Sequence, residues 1–389
     1  MAIHSSSTLP PAGASAWVTI DLRAIADNVR ALAAHAPGAE VMAIVKADAY
    51  GHGLVPAARA ARAGGATWLG CAQLSEALAL RASGVTGPIL TWIYPPGADL
   101  GAAIDAEVTL TVGSPQMLSE VVAAARERGR AVEVHLKCDT GLGRGGALAE
   151  GWSDLVAAAA AAQAEGVIRV DGAWSHFAWA DAPEHPTVRA QQERFGHACA
   201  ELERAGVTGF RRHLANSAAT LTNPGAHLDL VRPGLAVYGL SPVPDLGGPE
   251  HFGLREAMSV TARLTLVKRA AAGQGVSYGH EHTTASDTIL GLVPVGYADG
   301  IPRAAGRVGP VTLHGRRFTV AGRVCMDQFV LDLGPDFTGA AGDEVLILGS
   351  ARQGAPTAQD WAAATGTINY EIITRMGPRL PRVHLGGEH

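Results

Sequence analysis

A single lysine, Lys46, follows the apolar segment Val41-Met-Ala-Ile-Val45, and a Gly-His-Gly turn at residues 51–53 comes soon after. Such an apolar segment is typical of a strand that is buried on both faces. A lysine at its end, partly withdrawn from water, would have a lowered pKa and therefore a usable free amine. That amine could act as a Schiff-base nucleophile or as a general base. The alternative is a lysine that only ends a strand and points into water.

Other polar residues also follow predicted strands, namely Lys137 with Arg144 just beyond it, His176, Asn216-Ser217 and Arg232-Pro-Gly234. In a (β/α)8 barrel the carboxyl ends of the strands form the active-site face, and the last two loops commonly hold a phosphate. Ser217 and Gly234 suit that task. Taken singly, Ser217 could be a helix cap, Gly234 a turn and His176 a core histidine. Together at one barrel face they favour a shared site, and a reactive lysine opposite a phosphate predicts pyridoxal 5′-phosphate held as a Schiff base.

The elements that would position these residues alternate along the chain. Eight predicted strands cover residues 41–46, 68–72, 88–93, 108–112, 131–137, 169–176, 212–216 and 228–231. Alanine-rich helical segments lie between them, at 54–63, 75–83, 115–128, 152–165 and 188–205. This alternation predicts an α/β fold, a (β/α)8 barrel of the TIM type. A doubly wound open sheet is the alternative, but no Gly-x-Gly-x-x-Gly follows the first strand.

The pattern changes after Leu240, where a junction rich in proline and glycine precedes short β-rich segments. These segments cover residues 258–268, 288–294, 311–313, 317–320, 329–333 and 344–348, and only residues 358–365 are predicted to be helical. We therefore predict a disordered tail over residues 1–16, a barrel over residues 17–240 and a C-terminal all-β domain over residues 241–389. Residues 17–20 form a short strand that could belong to the second domain, and Asp21 is predicted to cap the helix that follows.

Composition narrows the class of protein. The 389 residues carry a formal net charge of −5 without a Lys/Arg block, which argues against a nucleic-acid partner. Four cysteines lie far apart, so neither a disulfide framework nor a zinc site is indicated, and a reducing cytoplasm is the expected compartment. No segment has the length and apolarity of a membrane span. His280-Glu281-His282 lacks the helical spacing of a His-Glu-x-x-His site, so we expect no metal.

The segment Val45-Lys46-Ala-Asp-Ala-Tyr50-Gly-His-Gly53 resembles the cofactor-attachment motif of the alanine racemases, the barrel-type pyridoxal-phosphate enzymes. Further similar motifs follow in the family's order from Trp17 to Val383. They are Lys137-Cys-Asp-Thr-Gly-Leu-Gly-Arg144, His176-Phe-Ala-Trp-Ala-Asp181, Ala215-Asn-Ser217, Val231-Arg-Pro-Gly-Leu235, Val276-Ser-Tyr278-Gly, Val295-Gly-Tyr297, Gly322-Arg-Val-Cys-Met-Asp327-Gln and Ile368-Asn-Tyr370-Glu.

The resemblance implies a two-base reaction that interconverts L-alanine and D-alanine. Lys46 would hold the cofactor and serve the face that deprotonates D-alanine, and Tyr278 of the partner subunit would deprotonate L-alanine. Tyrosine is a weak base at neutral pH, and the family's pattern gives His176 and Arg232 as the partners of its network. Arg232 would face the pyridine nitrogen, which would stay unprotonated because a guanidinium keeps its own proton.

Other residues take binding roles by the same resemblance. Tyr50, Ser217, Gly234, Leu235 and Tyr370 would surround the cofactor phosphate, and Arg144 and the amide of Met326 would bind the substrate carboxylate. Lys137 matches a lysine that is carbamylated in the family, which would hold Arg144. Supporting and entrance residues would be Cys325, Asp327, Tyr297, Arg303, Arg323, Asp181 and Ile368. For the arginines and Asp181, surface salt bridges are the alternative.

The resemblance also implies a homodimer with shared active sites and a role in supplying D-alanine for peptidoglycan. A broader-specificity racemase would share the fold, but we would expect a secretory signal and another residue in place of Lys137. A barrel-type amino-acid decarboxylase would share both domains, but the sequence contains no Glu-Pro-Gly-Arg phosphate motif. A cofactor-carrying binding protein would typically end after the barrel, without Tyr278.

Overall fold

The structure, a computed structural model, describes residues 10–387 in two compact units. The barrel unit comprises Ile25–Ala49 and Leu54–Leu254. The C-terminal unit comprises the residues up to Ala24, the short segment Tyr50–Gly53 and the residues from Arg255 onward. Of the predicted tail, residues 1–9 lie outside the described residues, and the division at residue 240 stays a prediction.

The first elements are a strand, β1 (Ala16–Asp21), and a helix, α1 (Leu22–His35). Asp21 Oδ1 accepts a hydrogen bond from the backbone N of Ala24 at 3.0 Å, so the predicted cap is confirmed.

Eight parallel strands form the barrel, and most of them are short, largely apolar segments of the sequence. They are β2 (Glu40–Ile44), β3 (Trp68–Gln73), β4 (Ile89–Ile93), β5 (Thr109–Val112), β6 (Val132–Lys137), β7 (Ile168–Trp174), β8 (Arg211–His213) and β9 (Leu230–Val231). Their hydrogen-bonded order is β8-β7-β6-β5-β4-β3-β2-β9. Backbone hydrogen bonds from Asp229 N to Arg212 O (3.1 Å) and from Arg232 N to Ala215 O (2.8 Å) link the two ends.

Helices connect the strands, as the alternating pattern predicted. They are α2 (Lys46–Gly51), α3 (Leu54–Ala63), α4 (Leu74–Ala82), α5 (Leu100–Asp105), α6 (Pro115–Arg128), α7 (Ala149–Ala164), α8 (Pro186–Arg204) and α9 (Ser217–Thr222). The prediction missed α2, α5 and α9, because each has only six residues and so too few turns to show a helical period. The (β/α)8 fold class is confirmed.

The C-terminal unit is built on a nine-stranded sheet with two short helices. Its further elements are β10 (Met258–Arg263), β11 (Leu266–Ala270), β12 (Gly275–Val276), β13 (His282–Thr283), β14 (Thr288–Val293), β15 (Pro310–Leu313), β16 (Arg316–Ala321), β17 (Phe329–Gly334), β18 (Glu344–Leu348), α10 (Ala358–Thr365), α11 (Asn369–Thr374) and β19 (Arg382–Leu385). The sheet order is β11-β14-β17-β16-β15-β18-β10-β1-β19. Its strands pair antiparallel except for β1 and β19, which are parallel.

One prediction about this unit was wrong, and one predicted β-rich segment proved to contain two strands. The segment 258–268 is two strands, because the chain changes partner between them: Leu264 N donates to Asp343 O and Thr265 N donates to Leu292 O. Residues 358–365 are not the only helix, since α11 follows them directly. With six residues, α11 is too short to show a helical period in the sequence.

Candidate active site

Lys46 is the first residue of α2, and the backbone of that short helix is left-handed. Ala47, Asp48, Ala49 and Tyr50 have φ values of 55°, 52°, 53° and 54°, respectively. L-residues avoid this conformation because Cβ approaches the following carbonyl oxygen, so a run of four is unusual. The strand β2 ends at Ile44, and the reversed helix therefore determines the direction in which the chain leaves Lys46.

The carboxylate of Glu76 holds the backbone that follows Lys46. Glu76 Oε1 accepts from Ala47 N at 2.6 Å, and Glu76 Oε2 accepts from the amides of Ala72 and Gln73 at 3.0 Å. The Lys46 amine is partly withdrawn from water. Burial, and then the nearby charge of Arg144, lower the pKa of Lys46 from its ordinary value. The sequence contains only three lysines, Lys46, Lys137 and Lys268, and two of them lie in this site.

Arg232 is 5% exposed and is held on several sides. Its Nη2 donates to Ser175 O at 2.7 Å and to Leu214 O at 3.1 Å. The same nitrogen lies 3.5 Å from His176 Nδ1, and the guanidinium carbon lies 4.8 Å from the centre of the Trp174 ring. Burial lowers the pKa of Arg232 to about 9, so the guanidinium still carries its charge at neutral pH.

A chain of buried side chains continues from Arg232 into the barrel core. Arg232 Nη1 lies 3.2 Å from His213 Nδ1, His213 Nε2 lies 2.9 Å from His135 Nδ1, and His135 Nε2 lies 3.5 Å from Asp171 Oδ2. Burial lowers the pKa of both histidines, so both rings are neutral. Arg232 can only donate, so His213 accepts at Nδ1 and donates from Nε2 to His135 Nδ1, and the remaining ring hydrogen of His135 lies on Nε2, which faces Asp171. This directional chain fixes the guanidinium in place.

Lys137 ends β6 with its side chain 9% exposed, and its Nζ lies 4.4 Å from the centre of the Trp174 ring. Burial, followed by the charges of Arg144 and Arg232, lowers the pKa of Lys137 to about 8. A substantial fraction of this amine is therefore neutral slightly above neutral pH.

This lowered pKa predicts a pH effect on stability. The ordinary pKa of lysine is 10.5, so between pH 8 and 10.5 the unfolded chain binds a proton that the folded chain has lost. The free energy of unfolding should therefore rise with pH from 8 to 10.5. Below pH 8 the penalty of burying the charged Lys137 ammonium should be fully present. Urea unfolding below pH 8 and near pH 10, in buffers kept free of carbon dioxide so that Lys137 is a free amine, should show this rise in the native protein and a smaller rise in Lys137→Met. An equal rise in both proteins would contradict the prediction.

Asp139 folds the loop that carries Arg144. Asp139 Oδ1 accepts from the amides of Gly141 (2.9 Å), Leu142 (2.9 Å) and Gly143 (3.2 Å), and Oδ2 accepts from Arg144 N at 3.0 Å. Burial opposes the charge, but these hydrogen bonds keep the pKa of Asp139 below its ordinary value. One carboxylate thus fixes four consecutive backbone amides, and the last belongs to Arg144.

We expect Asp139→Ala to loosen this loop without unfolding the barrel. Four amides would lose their acceptor, and a lost acceptor of this kind costs about 1–3 kcal/mol. Urea unfolding measures that loss, and amide hydrogen exchange at residues 141–144 should accelerate. Asp99→Ala is the matched control, because Asp99 caps α5 through one hydrogen bond from Ala102 N. Unchanged exchange at residues 141–144 in Asp139→Ala would contradict this account.

His176 lies where the basic groups of the barrel converge. Burial, and then the charges of Arg232, Arg144, Lys137 and Lys46 in that order, lower the pKa of His176 well below its usual range, so the ring is neutral. Gln191 holds the backbone that follows the His176 side chain, because Nε2 donates to His176 O at 3.0 Å and Oε1 accepts from Ala178 N at 2.8 Å. The barrel face is therefore rich in positive charge, and the nearby acids Asp139 and Glu76 are both already bound to backbone amides.

Ser217 and Gly234 meet at the same end of the barrel unit. Ser217 Oγ accepts from Gly234 N at 2.8 Å and from Ala236 N at 3.3 Å, which leaves the hydroxyl hydrogen free to be donated. Leu235 lies between Gly234 and Ala236 in the chain and is the first residue of a short 3-10 helix. Asn216 caps α9 through Ala219 N, so the helix-cap role considered for Ser217 belongs to its neighbour.

In the C-terminal unit, Tyr50 and Tyr370 form a ring pair with centroids 6.4 Å apart. Burial, and then Tyr370, raise the pKa of Tyr50, so its phenol stays protonated. Gly51, beside Tyr50, has a φ of 81°, and a Cβ there would lie 2.8 Å from Ile373 O. This close approach to α11 explains the glycine and fixes the Tyr50 backbone against the helix that carries Tyr370.

A second group of predicted residues surrounds a recess of about 510 Å³ in the C-terminal unit. Tyr278, Cys325, Met326 and Asp327 line it, and the side chains of Tyr278 and Met326 are 71% and 53% exposed. Tyr297 is joined to the same loop because its backbone N donates to Cys325 O at 3.1 Å. Both side chains are therefore open to solvent at the surface of their own unit.

The predicted residues therefore form three groups. Lys46, Lys137, Arg144, His176 and Arg232 converge in the barrel unit, where Ser217, Gly234 and Leu235 also meet. Tyr50 pairs with Tyr370, and Tyr278 shares its recess with Met326. The sequence analysis missed the residues that hold these groups, Glu76, Asp139, His135, His213, Gln191 and Trp174. Only Asp139 had a local signal, because an aspartate before Gly-x-Gly favours side-chain to backbone hydrogen bonds.

Among residues 10–387 no cluster of His, Cys, Asp and Glu side chains has the arrangement of a metal site, and no helix there could cross a membrane. Glu281 instead pairs with Arg323, and His282 lies 3.0 Å from Asp332. For Arg323, the salt bridge considered as its alternative role is therefore present.

Comparison with known proteins gives the same family for both units. Residues 20–242 match the model of the alanine racemase N-terminal domain, and residues 257–384 match that of the C-terminal domain. The alanine racemase of Frankia casuarinae is 58% identical over 93% of this chain and 94% of its own length. That of Beutenbergia cavernae is 56% identical over 96% of this chain and 98% of its own length.

Solved structures agree over nearly the whole chain. Alanine racemase from Streptomyces lavendulae is 55% identical with a TM-score of 0.95, and covers 96% of this chain and 98% of its own. The enzyme from Streptomyces coelicolor A3(2) is 53% identical with a TM-score of 0.94 over the same shares. With both domain models matched, in their order and over most of its length, this chain belongs to the alanine racemase family.

Proposed function

We propose that this protein is a pyridoxal 5′-phosphate-dependent alanine racemase that interconverts L-alanine and D-alanine. The observation that carries the proposal is the convergence of Lys46, Lys137, Arg144 and Arg232 around a neutral His176. So much positive charge with so little nearby acid suits ligands that bring negative charge, such as a phosphate and an amino-acid carboxylate. The amine with the lowered pKa at Lys46 suits attachment to an aldehyde.

The residues present fit the cofactor. The Ser217 hydroxyl retains its hydrogen for a phosphate oxygen after accepting two amides. The protonated phenol of Tyr50 and the neighbouring Tyr370 suit the same task, as do Gly234 and Leu235. When bound, the cofactor would act as an electron sink that stabilises negative charge on the substrate α-carbon. Arg232, fixed through His213, would donate to the ring nitrogen without giving up its proton.

Racemisation requires one base on each face of the α-carbon. Lys46 Nζ would remove the α-proton of D-alanine, and the phenolate oxygen of Tyr278 would remove that of L-alanine; each group would return a proton in the reverse direction. Tyr278 would come from the partner subunit, because it is exposed at the surface of its own unit. His176 and Arg232 would stabilise its phenolate.

Arg144 would bind the substrate carboxylate as a planar fork of donors, with the amide of the partner's Met326 as a second contact. The neutral fraction of Lys137 is the form that reacts with carbon dioxide, and a carbamate there would convert a cation into an anion that holds Arg144. Cys325, Asp327 and Tyr297 would support the partner's loop. Mass analysis of peptides that contain Lys137 tests the carbamate.

We further propose a homodimer in the cytoplasm, without a membrane or nucleic-acid partner, that supplies D-alanine for peptidoglycan. The racemase activity itself has a direct test. Purified protein with added cofactor is incubated separately with L-alanine, L-serine and L-lysine, and optical rotation and gas release are followed. D-Alanine from L-alanine, without gas, is the expected result. Comparable rates with all three substrates would indicate a broader racemase, gas would indicate a decarboxylase, and no D-alanine would refute the proposal.

A further inference from the structure

The residue that precedes Tyr278 has a backbone conformation that side chains normally exclude. Ser277 has φ 62° and ψ −174°, a region of backbone space that is essentially restricted to glycine. A residue held there costs about 1–3 kcal/mol and persists only where its surroundings fix it. The sequence nevertheless has serine at this position, so the side chain has to contribute something that glycine would lack.

Ser277 lies in a five-residue loop, residues 277–281, between β12 and β13. Those strands pair over two residues only, Gly275 with Thr283 and Val276 with His282. A hairpin this short is marginal by itself, so the loop conformation has to be held from outside.

Arg323 holds the loop at both ends. At the beginning, Ser277 Oγ donates to the backbone O of Arg323 at 2.8 Å and lies 3.3 Å from Cys325 Sγ. At the end, Glu281 Oε1 accepts from Arg323 Nε and Nη2, both at 2.6 Å. In the middle, Gly279 faces the guanidinium, and a Cβ there would lie 3.2 Å from Arg323 Cζ. We call Ser277, Gly279, Glu281 and Arg323 the Arg323 clamp.

Tyr278 itself has little to hold its ring. Its side chain is 71% exposed, and within residues 10–387 its phenol makes no hydrogen bond. The direction of the ring therefore follows from the backbone on either side, which the clamp fixes. For a general base this matters, because a displacement of about 1 Å can cost on the order of 100-fold in rate.

We propose that the Arg323 clamp is a positioning device for Tyr278, in which the Ser277 hydroxyl stabilises the strained backbone that aims the phenol. The inference rests on the proposed function. It gives Ser277 and Glu281 the role of positioning Tyr278. It gives Arg323 the same role, in addition to the place at the active-site entrance that the family resemblance implies. A merely structural turn would need neither the hydroxyl nor the strain.

Two substitutions separate the hydroxyl from the strain. Ser277→Ala removes the hydrogen bonds and keeps the strain, whereas Ser277→Gly removes the same hydrogen bonds but adopts φ 62° freely. Ser286→Ala is the matched control, an exposed serine of the same unit. All are studied as full-length protein with bound cofactor. We expect kcat and the free energy of unfolding to fall in the order native, Ser277→Gly, Ser277→Ala. The kcat of Ser277→Ala should fall by roughly 10- to 100-fold with little change in KM.

The discriminating measurement is α-proton exchange in deuterated water. Because Lys46 serves the D-alanine face, Ser277→Ala should still exchange the α-proton of D-alanine for deuterium with retention of configuration. The formation of α-deuterated L-alanine from D-alanine should instead fall in proportion to kcat. A general loss of folded protein would lower both exchanges equally. If Ser277→Ala does not fold, Ser277→Gly carries the comparison, since its backbone is unstrained.

Equal loss of both exchanges, or kcat values like that of Ser286→Ala for both Ser277 variants, would overturn the inference. Absence of D-alanine formation by the native protein would refute the proposed function instead, and the order of the unfolding free energies would still report whether the hydroxyl stabilises the strained loop.

Discussion

Lys46→Ala should abolish racemisation, with a loss of at least about 10⁴-fold, the upper end of what one acid-base group contributes. The loss should be this large because Lys46 has two proposed tasks, attachment of the cofactor and proton transfer on one face. Exposed Lys268 provides the control, and Lys268→Ala should keep its activity.

The attachment has its own readout. Borohydride reduction followed by peptide mapping should find the cofactor on Lys46, and the result will be unambiguous because only Lys137 and Lys268 compete. Cofactor trapped on Lys137 in the native protein would show that Lys137, and not Lys46, carries the reactive amine. This conclusion would hold even if Lys46→Ala were inactive.

Tyr278→Phe should lower kcat by roughly 10²- to 10⁴-fold with little change in KM, because only the hydroxyl that moves the proton is lost. The exposed phenol contributes nothing to packing within its unit, so the free energy of unfolding should stay unchanged. A loss in stability comparable to a core substitution would mean that the ring has a structural task instead.

Mixed dimers test whether Tyr278 acts on the partner. Inactive Lys46→Ala and inactive Tyr278→Phe proteins are mixed under conditions that exchange subunits. If each site combines Lys46 of one subunit with Tyr278 of the other, every mixed dimer has one intact site and activity returns. If both residues act within one subunit, every site keeps a defect and activity does not return.

The barrel and the positions of its basic residues could be predicted because parallel strands are buried on both faces. Most of the strands are then largely apolar segments, and a charged residue that directly follows such a segment stands out, as Lys46 does after Val45. Where the segment was short or its partners changed, prediction failed: α11 is brief, and the break between β10 and β11 depends on hydrogen bonds to Asp343 and Leu292, far along the chain.

The residues that hold the site were not predictable for a related reason. Glu76 binds the amide of Ala47 across 29 positions of sequence, Gln191 binds the backbone around His176, and His135 contacts His213 across 78 positions. Each contact exists only after the barrel has closed. The resemblance to a family supplied the roles of Tyr278 and Met326, which no local pattern indicated.

The left-handed helix after Lys46 reverses a common rule of protein engineering. Four L-residues there carry about 1–2 kcal/mol of strain each, on the order of 4–8 kcal/mol together, comparable to the net stability of many domains. Glycine, which usually weakens a helix, should therefore strengthen this one: Ala47→Gly should raise the melting temperature. A D-residue introduced there by chemical synthesis should do the same, since its mirror-image preference matches the backbone. The backbone beside the proposed catalytic lysine therefore has a conformation that D-amino acids prefer and L-amino acids avoid.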